Sequence, residues 1–144
     1  MTNSHAKIWI HAVWTTKNRK HLIHPRMERQ LYEFIGVELK RMGCILSIVN
    51  GMPDHIHCLF SMPADLSVSE IMKQIKGSTS HFINHKALIP EKFDWQNGYG
   101  AFSVSQSGVD AVYKYIYQQK KHHQQHSFES EYTEILALHG LEGE

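Results

Sequence analysis

The sequence predicts an α+β fold: a ferredoxin-like, split βαβ antiparallel sheet with an additional C-terminal helix. Three observations predict it. Strand-like runs and helix-period stripes follow one another as strand, helix, strand, strand, helix, strand, helix. Turn residues Asn50-Gly51 and Pro53-Asp54 separate the second and third strands closely enough for an antiparallel hairpin. No repeat, low-complexity tract or second domain interrupts the pattern. In this topology the first and third strands form the central pair.

Each element has its own signal. Residues 8–15 are rich in Ile, Trp and Val and read as a buried strand. A polar loop, 17–24, leads to Pro25, which opens a helix at the position proline favours. Met27, Leu31, Phe34, Ile35, Leu39 and Met42 recur at steps of three and four, giving one apolar stripe. Gly43 is placed to end that helix in a left-handed cap. Strands are expected over 44–49 and 55–60. Ser67 and Glu70 match a capping box for a second helix, with Val68, Ile71, Met72, Ile75, Phe82 and Ile83 on its inner face. A loop over 89–98 and a short strand over 99–104 follow. Ser107 can cap a last long helix over 108–123, and a short helix is expected around 132–138.

The 144 residues suffice for one domain with a real core. We expect a single catalytic domain over 1–126 and an acidic tail over 127–144. The net charge of +1 is unevenly spread: the tail carries Glu129, Glu131, Glu134, Glu142 and Glu144 and no Lys or Arg. Basic residues gather at Lys17, Arg19, Lys20 and Arg26, and again at Lys120 and Lys121. Such clusters are solvated loops or phosphate contacts. No apolar run reaches the roughly eighteen residues of a membrane span, and the first residues lack the apolar region of a signal peptide. A cytoplasmic protein without membrane contact is therefore expected. Cys44 and Cys58 sit in strand-like runs and read as buried free thiols, not as a disulfide framework.

Histidine is abundant, at twelve residues, so geometry must select among them. Strand side chains alternate, which points His55 and His57 to one face and Ile56, Cys58 and Phe60 to the other. Two imidazoles on one face can bind a divalent cation, or can merely hydrogen-bond to neighbours. On the last helix, Val109, Val112 and Ile116 form the apolar stripe. Tyr115 and Gln119 share one flank of it, one turn apart, with His122 near them; Tyr113 and Tyr117 take the other. That flank offers a phenol able to attack phosphorus and an amide oxygen able to bind a metal. A tyrosine-rich helix packed on a sheet has the same pattern.

Together these motifs resemble the single-tyrosine insertion-sequence transposases of the HUH class, from about residue 8 to residue 123. The resemblance rests on five segments: WTTKNR from Trp14, DHIH from Asp54, MKQIKGSTS from Met72, WQNGYGAFSV from Trp95, and YIYQQ from Tyr115. It implies a DNA transposase that moves an insertion sequence as single-stranded DNA. Tyr115, on the additional helix, would be the nucleophile that forms a covalent 5′-phosphotyrosine. His55, His57 and Gln119 would hold a divalent metal, Mg²⁺ or Mn²⁺. The substrate would be single-stranded DNA with hairpins at the transposon ends. The protein would be a homodimer with active sites shared between subunits. Lys17, Arg19, Lys20, Lys73 and Lys76 are candidate DNA contacts, and Trp95 and Tyr99 are candidates for base stacking or packing. Two imidazoles and an amide carry no protein charge, so the DNA phosphate is expected to complete the metal shell. Two alternatives stand beside this reading. A hydrolytic metal phosphodiesterase would need carboxylates near the histidine pair, and a binding-only module would lack the chemistry.

Overall fold

The computed structural model describes residues 5–122 and 128–141. Its frame is the pairing of β1 (Ile8–Thr15) with β3 (His55–Met62), antiparallel over their full lengths, with Val13 opposite His57 and Thr15 opposite His55. β2 (Ile45–Met52) and β4 (Gly100–Val104) add at the two edges, giving the order β2-β3-β1-β4 with every pair antiparallel. The first and third strands are thus central, as the split βαβ pattern requires. All eight residues of β3 are buried, since it has strands on both sides and layers on both faces.

Alternation divides β3 between those layers. Ile56, Cys58 and Phe60 join Ile10, Ala12 and Trp14 of β1 in the main core. That core is closed by α1 (Pro25–Arg41) through Met27, Leu31, Ile35 and Leu39, and by α2 (Val68–His85) through Ile71, Met72, Ile75 and Ile83. Gly43 (φ +81) ends α1 region in the left-handed conformation expected of it. Ser67 accepts a hydrogen bond from the Glu70 amide and starts α2. Cys44 and Cys58 are buried and free. Trp95 is core: its indole donates to Thr79 Oγ1 at 2.9 Å. Among the described residues no helix is long and apolar enough to cross a membrane.

The opposite face of the sheet presents His55, His57 and Leu59. Here α3 (Val109–Tyr117) packs Val112 and Ile116 against Leu59. Two expectations need correcting. Ser105, not Ser107, makes the turn before α3, by accepting from the Gly108 amide. And the expected long helix over 108–123 breaks at Gln118, so that Gln119 begins a separate turn, α4 (Gln119–His122). The cause lies across the sheet edge. Asn50 Nδ2 donates to the carbonyls of Ile116 at 3.0 Å and Tyr117 at 3.3 Å, which would otherwise accept from the amides of residues 120 and 121. The Lys121 amide turns to the Gln118 carbonyl instead. α5 (Phe128–Leu138) starts four residues before the expected segment and buries Glu131 and Ile135.

Candidate metal and nucleophile site

The β2–β3 turn and the register of β1 set the back of the site. The carbonyls of Pro53 and Asp54 accept from the amides of Ile23 and Thr16, each at 2.9 Å, so the turn is held by the loop after β1. Gly51 lies so close to β3 that a Cβ would sit 2.2 Å from the His55 carbonyl oxygen. Only glycine permits that approach. With the turn fixed, Asp54 Oδ1 lies 2.7 Å from His55 Nδ1. That contact gives Asp54 a place in the site. Behind His57, Nδ1 lies 2.9 Å from His11 Nε2. His11, His55 and His57 are wholly buried.

The front of the site is brought by three helices. α3 places Tyr115, half-buried, with its ring edge-on to His57 at 5.7 Å between centroids. The break after α3 lets α4 carry Gln119 inward, with Oε1 at 3.3 Å from His55 Nε2. α5 brings Glu131, which is 1% exposed. Its Oε1 lies 2.8 Å from His57 Nε2 and accepts from the Tyr115 hydroxyl at 2.7 Å; its Oε2 lies 3.0 Å from His55 Nε2. One carboxylate therefore touches both outward ring nitrogens and the phenol. Sequence reasoning found His55, His57, Tyr115 and Gln119, and the structure brings all four together within one chain. It missed Glu131, which adds a carboxylate to the two imidazoles and the amide.

The residues fit a divalent cation. Candidate donor atoms of His55, His57 and Glu131 all lie within 4.8 Å of one another. The contacts among the Nε2 atoms, Glu131 and Gln119 span 2.8 to 3.3 Å. Ligands at about 2.1 Å from an octahedral ion stand about 3 Å apart along the edges. Each ring also has a partner on its Nδ1, as metal-binding imidazoles generally do.

Electrostatics follow from burial and from the carboxylates. Burial pulls the His55 pKa down, but hydrogen bonds to the Asp54 and Glu131 carboxylates outweigh it and push it up to about 9. Burial tends to raise the Asp54 pKa, and the bond to His55 overcomes this and lowers it. Tyr115 is raised by burial and then by the charge and hydrogen bond of Glu131; a hydrogen bond from Gln119 opposes them. With Glu131 beside it the phenol keeps its proton. His11 is lowered well below the usual range by burial, then by His57 and His139.

The basic candidates divide. Arg19 ion-pairs with Glu129 of α5, and its guanidinium lies 5.8 Å from the Phe128 ring. The same ring lies 4.9 Å from that of His55. Arg19 and Asn18 both hold left-handed backbone (φ +52 and +55), which asparagine tolerates and arginine adopts at a cost, beside a cavity of about 370 Å³ that Gln96 and Tyr132 also line. Lys17 and Lys20 are exposed in the same loop. Lys73 and Lys76 lie on α2, across the sheet from the histidine pair. Lys73 is exposed, whereas Lys76 ties down a loop through the Gln96 and Gly98 carbonyls, each at 2.7 Å. Tyr99 is exposed. The His122 side chain lies outside the described residues.

Signals for the missed residues existed but were faint. His11 is the one polar residue in the run IWIHAVW. Glu131 takes an inner position of an amphipathic helix, one turn before Ile135.

The chain is similar to known transposases. A family model described as "Transposase IS200 like" matches residues 4–119. The ISDra2 transposase TnpA of Deinococcus radiodurans is 23% identical over 111 residues, which are 74% of this chain and 79% of that protein. A crystal structure of a transposase from Deinococcus radiodurans superposes with a TM-score of 0.65 at 20% identity, covering 83% of this chain and 98% of that one. A REP-associated tyrosine transposase bound to a REP hairpin superposes with a TM-score of 0.62 at 18% identity, covering 85% and 74%. Likeness to solved structures at these identities shows a shared fold.

Proposed function

Because the chain belongs to the family of IS200-like transposases, we propose that it cleaves and rejoins single-stranded DNA through a covalent bond to Tyr115. One observation carries the reading: His55 Nε2, His57 Nε2 and Tyr115 Oη all converge on a single acidic group, the Glu131 carboxylate. A scissile phosphate would have to make the same approach, facing a metal on one side and the phenol on the other. Glu131 holds the position that the phosphate takes.

His55 and His57, with Gln119, would hold Mg²⁺ or Mn²⁺, and Glu131 would complete the set until the phosphate displaces it. When bound, that ion polarises the scissile phosphate and offsets its charge. Tyr115 Oη attacks phosphorus, and the bond from phosphorus to the 3′ oxygen breaks. The Tyr115 proton is lost and the leaving oxygen gains one, giving a 3′-hydroxyl and a 5′-phosphotyrosine. A second DNA 3′-hydroxyl then attacks the phosphotyrosine and frees Tyr115. Each step exchanges one phosphodiester for another, so no nucleotide cofactor is consumed.

The substrate is single-stranded DNA with hairpins at transposon ends, met in the cytoplasm. Lys17, Arg19 and Lys20 flank the site on the loop after β1 and contact its backbone. The protein acts as a homodimer. Since Tyr115 already reaches His57 within one chain, exchange of the tyrosine between subunits is not needed to complete the site.

Glu131 also supplies the carboxylate that a water-using metal phosphodiesterase would need, and one assay separates the readings. Labelled hairpin-bearing single-stranded DNA is incubated with protein and Mn²⁺, then denatured. A labelled adduct that disappears in Tyr115→Phe is expected. Cleavage without an adduct would transfer the reading to the hydrolase, and binding without cleavage to a DNA-binding module.

A further inference from the structure

The two metal-facing imidazoles are held from behind by unlike partners. His55 has a carboxylate, Asp54. His57 has a second imidazole, His11, whose Nδ1 lies 2.8 Å from Nε2 of a third, His139. His139 follows α5 directly, and its ring stacks on Phe102 of β4 at 4.6 Å and 9° between planes. A chain of three rings thus runs from the metal face, through the middle of β1, to the end of α5.

We propose that His11 is a positioning residue for the metal ligand His57, and that it hands this constraint on to His139. The inference rests on the reading of His57 as a ligand. The order of protons along the chain follows from that role. A ring nitrogen that binds a cation carries no proton, so His57 bound through Nε2 carries its proton on Nδ1. That N–H is buried and needs an acceptor. The atom facing it is His11 Nε2, which must therefore be bare. A neutral His11 then carries its proton on Nδ1 and donates to His139 Nε2. Only this order leaves the His57 lone pair aimed at the cation.

His11 is paired across the sheet with Leu59 on one side and Phe102 on the other, so its two nearest cross-strand neighbours offer no acceptor. An apolar residue at position 11 would take away the acceptor that faces the His57 Nδ1 proton and loosen the ring. Partners of this kind are worth about 10- to 100-fold in metal affinity.

The test titrates Mn²⁺ into the full-length protein and follows the free ion by electron paramagnetic resonance. His11→Leu removes the acceptor, whereas His11→Gln offers an amide oxygen in its place. The expected result is a loss of about 10- to 100-fold in Mn²⁺ affinity for His11→Leu, with recovery in His11→Gln to within about threefold of wild type. A packing role alone gives the opposite order, because leucine suits the apolar strand better than glutamine. Equal affinity for wild type and His11→Leu, or equal losses in both variants, would overturn the inference. If His11→Leu does not fold, His11→Gln decides alone: near-wild-type affinity supports the acceptor role, and a tenfold loss rejects it. His57→Ala separates the two levels. Mn²⁺ binding that survives it removes His57 from the ligand set, and the inference with it; binding that His57→Ala abolishes and His11→Leu leaves intact refutes the inference alone.

Discussion

The site has a sheet half and a helix half, and they are built to different standards. His11, Asp54, His55 and His57 come from β1, β3 and the turn before β3, where antiparallel pairing fixes every Cα and the three histidines are fully buried. Tyr115, Gln119 and Glu131 arrive on three helices of nine, four and eleven residues. Helices this short depend on their packing to persist. α3 is fastened by Val112 and Ile116, and α4 by Lys120, which donates to Asn50 Oδ1 and ion-pairs with Glu28. α5 inserts a carboxylate where the proposed substrate would bring an anion. A metal needs fixed ligands, while a strand of DNA needs an entrance. On the proposed function, the sheet half would serve the first need and the helix half the second.

Breaking the rigid half should have the largest effect. His57→Ala is expected to lower the rate of adduct formation by about a hundredfold or more, since it removes a metal ligand and with it the stabilised phosphate. The rate is read on denaturing gels with Mn²⁺ present. A variant within threefold of wild type would show that the sheet half is no metal site. Asp54→Asn comes next. The side chain keeps its size but loses the charge behind His55, and Mn²⁺ affinity should fall by about 10- to 100-fold. Titration calorimetry checks this, and unchanged affinity would make Asp54 a turn residue only.

The helix half should respond in the other direction at one position. Glu131→Ala removes the group that holds the phosphate's place. Single-stranded oligonucleotide binding should tighten by about tenfold, the effect of relieving one repulsive contact of about 1.4 kcal/mol. Fluorescence anisotropy measures it, and weaker binding would make Glu131 a partner of the DNA, not its competitor. Asn50→Leu sharpens the comparison most gently. The freed carbonyls of Ile116 and Tyr117 should let α3 run on into α4 and swing Gln119 away from His55. We expect adduct formation to slow by roughly three- to tenfold while the sheet stays intact, about the effect of losing one neutral hydrogen-bonding ligand. An unaltered rate would mean that Gln119 does not contribute.

The same division explains what the sequence disclosed. The sheet half follows from local rules: alternation places His55 and His57 on one face, Gly43 and Ser67 mark helix ends, and the split βαβ order makes β1 and β3 central. The identity of His11 as a partner of His57 did not follow, because it depends on the register between strands 46 residues apart. The helix half depends on distant contacts throughout. The break at Gln118 is imposed by Asn50, and nothing between residues 108 and 123 announces it; every residue there is compatible with a helix. Glu131 reaches the site from beyond the motifs, on a segment whose composition reads as an acidic tail. Tyr115 and Gln119 were legible as a pair only because their spacing matches one helical turn, although that turn is broken in the folded chain.

Three tyrosines lie within five residues on α3, and they present a decisive contrast. Tyr115 is half-buried beside His57, whereas Tyr113 and Tyr117 are 40% and 69% exposed. The most direct measurement is to trap the adduct on single-stranded DNA with Mn²⁺, digest protein and DNA, and locate the nucleotide by mass spectrometry. The account predicts a 5′-phosphate ester on Tyr115 alone. A nucleotide on Tyr113 or Tyr117, or cleaved DNA with no modified tyrosine, would contradict it.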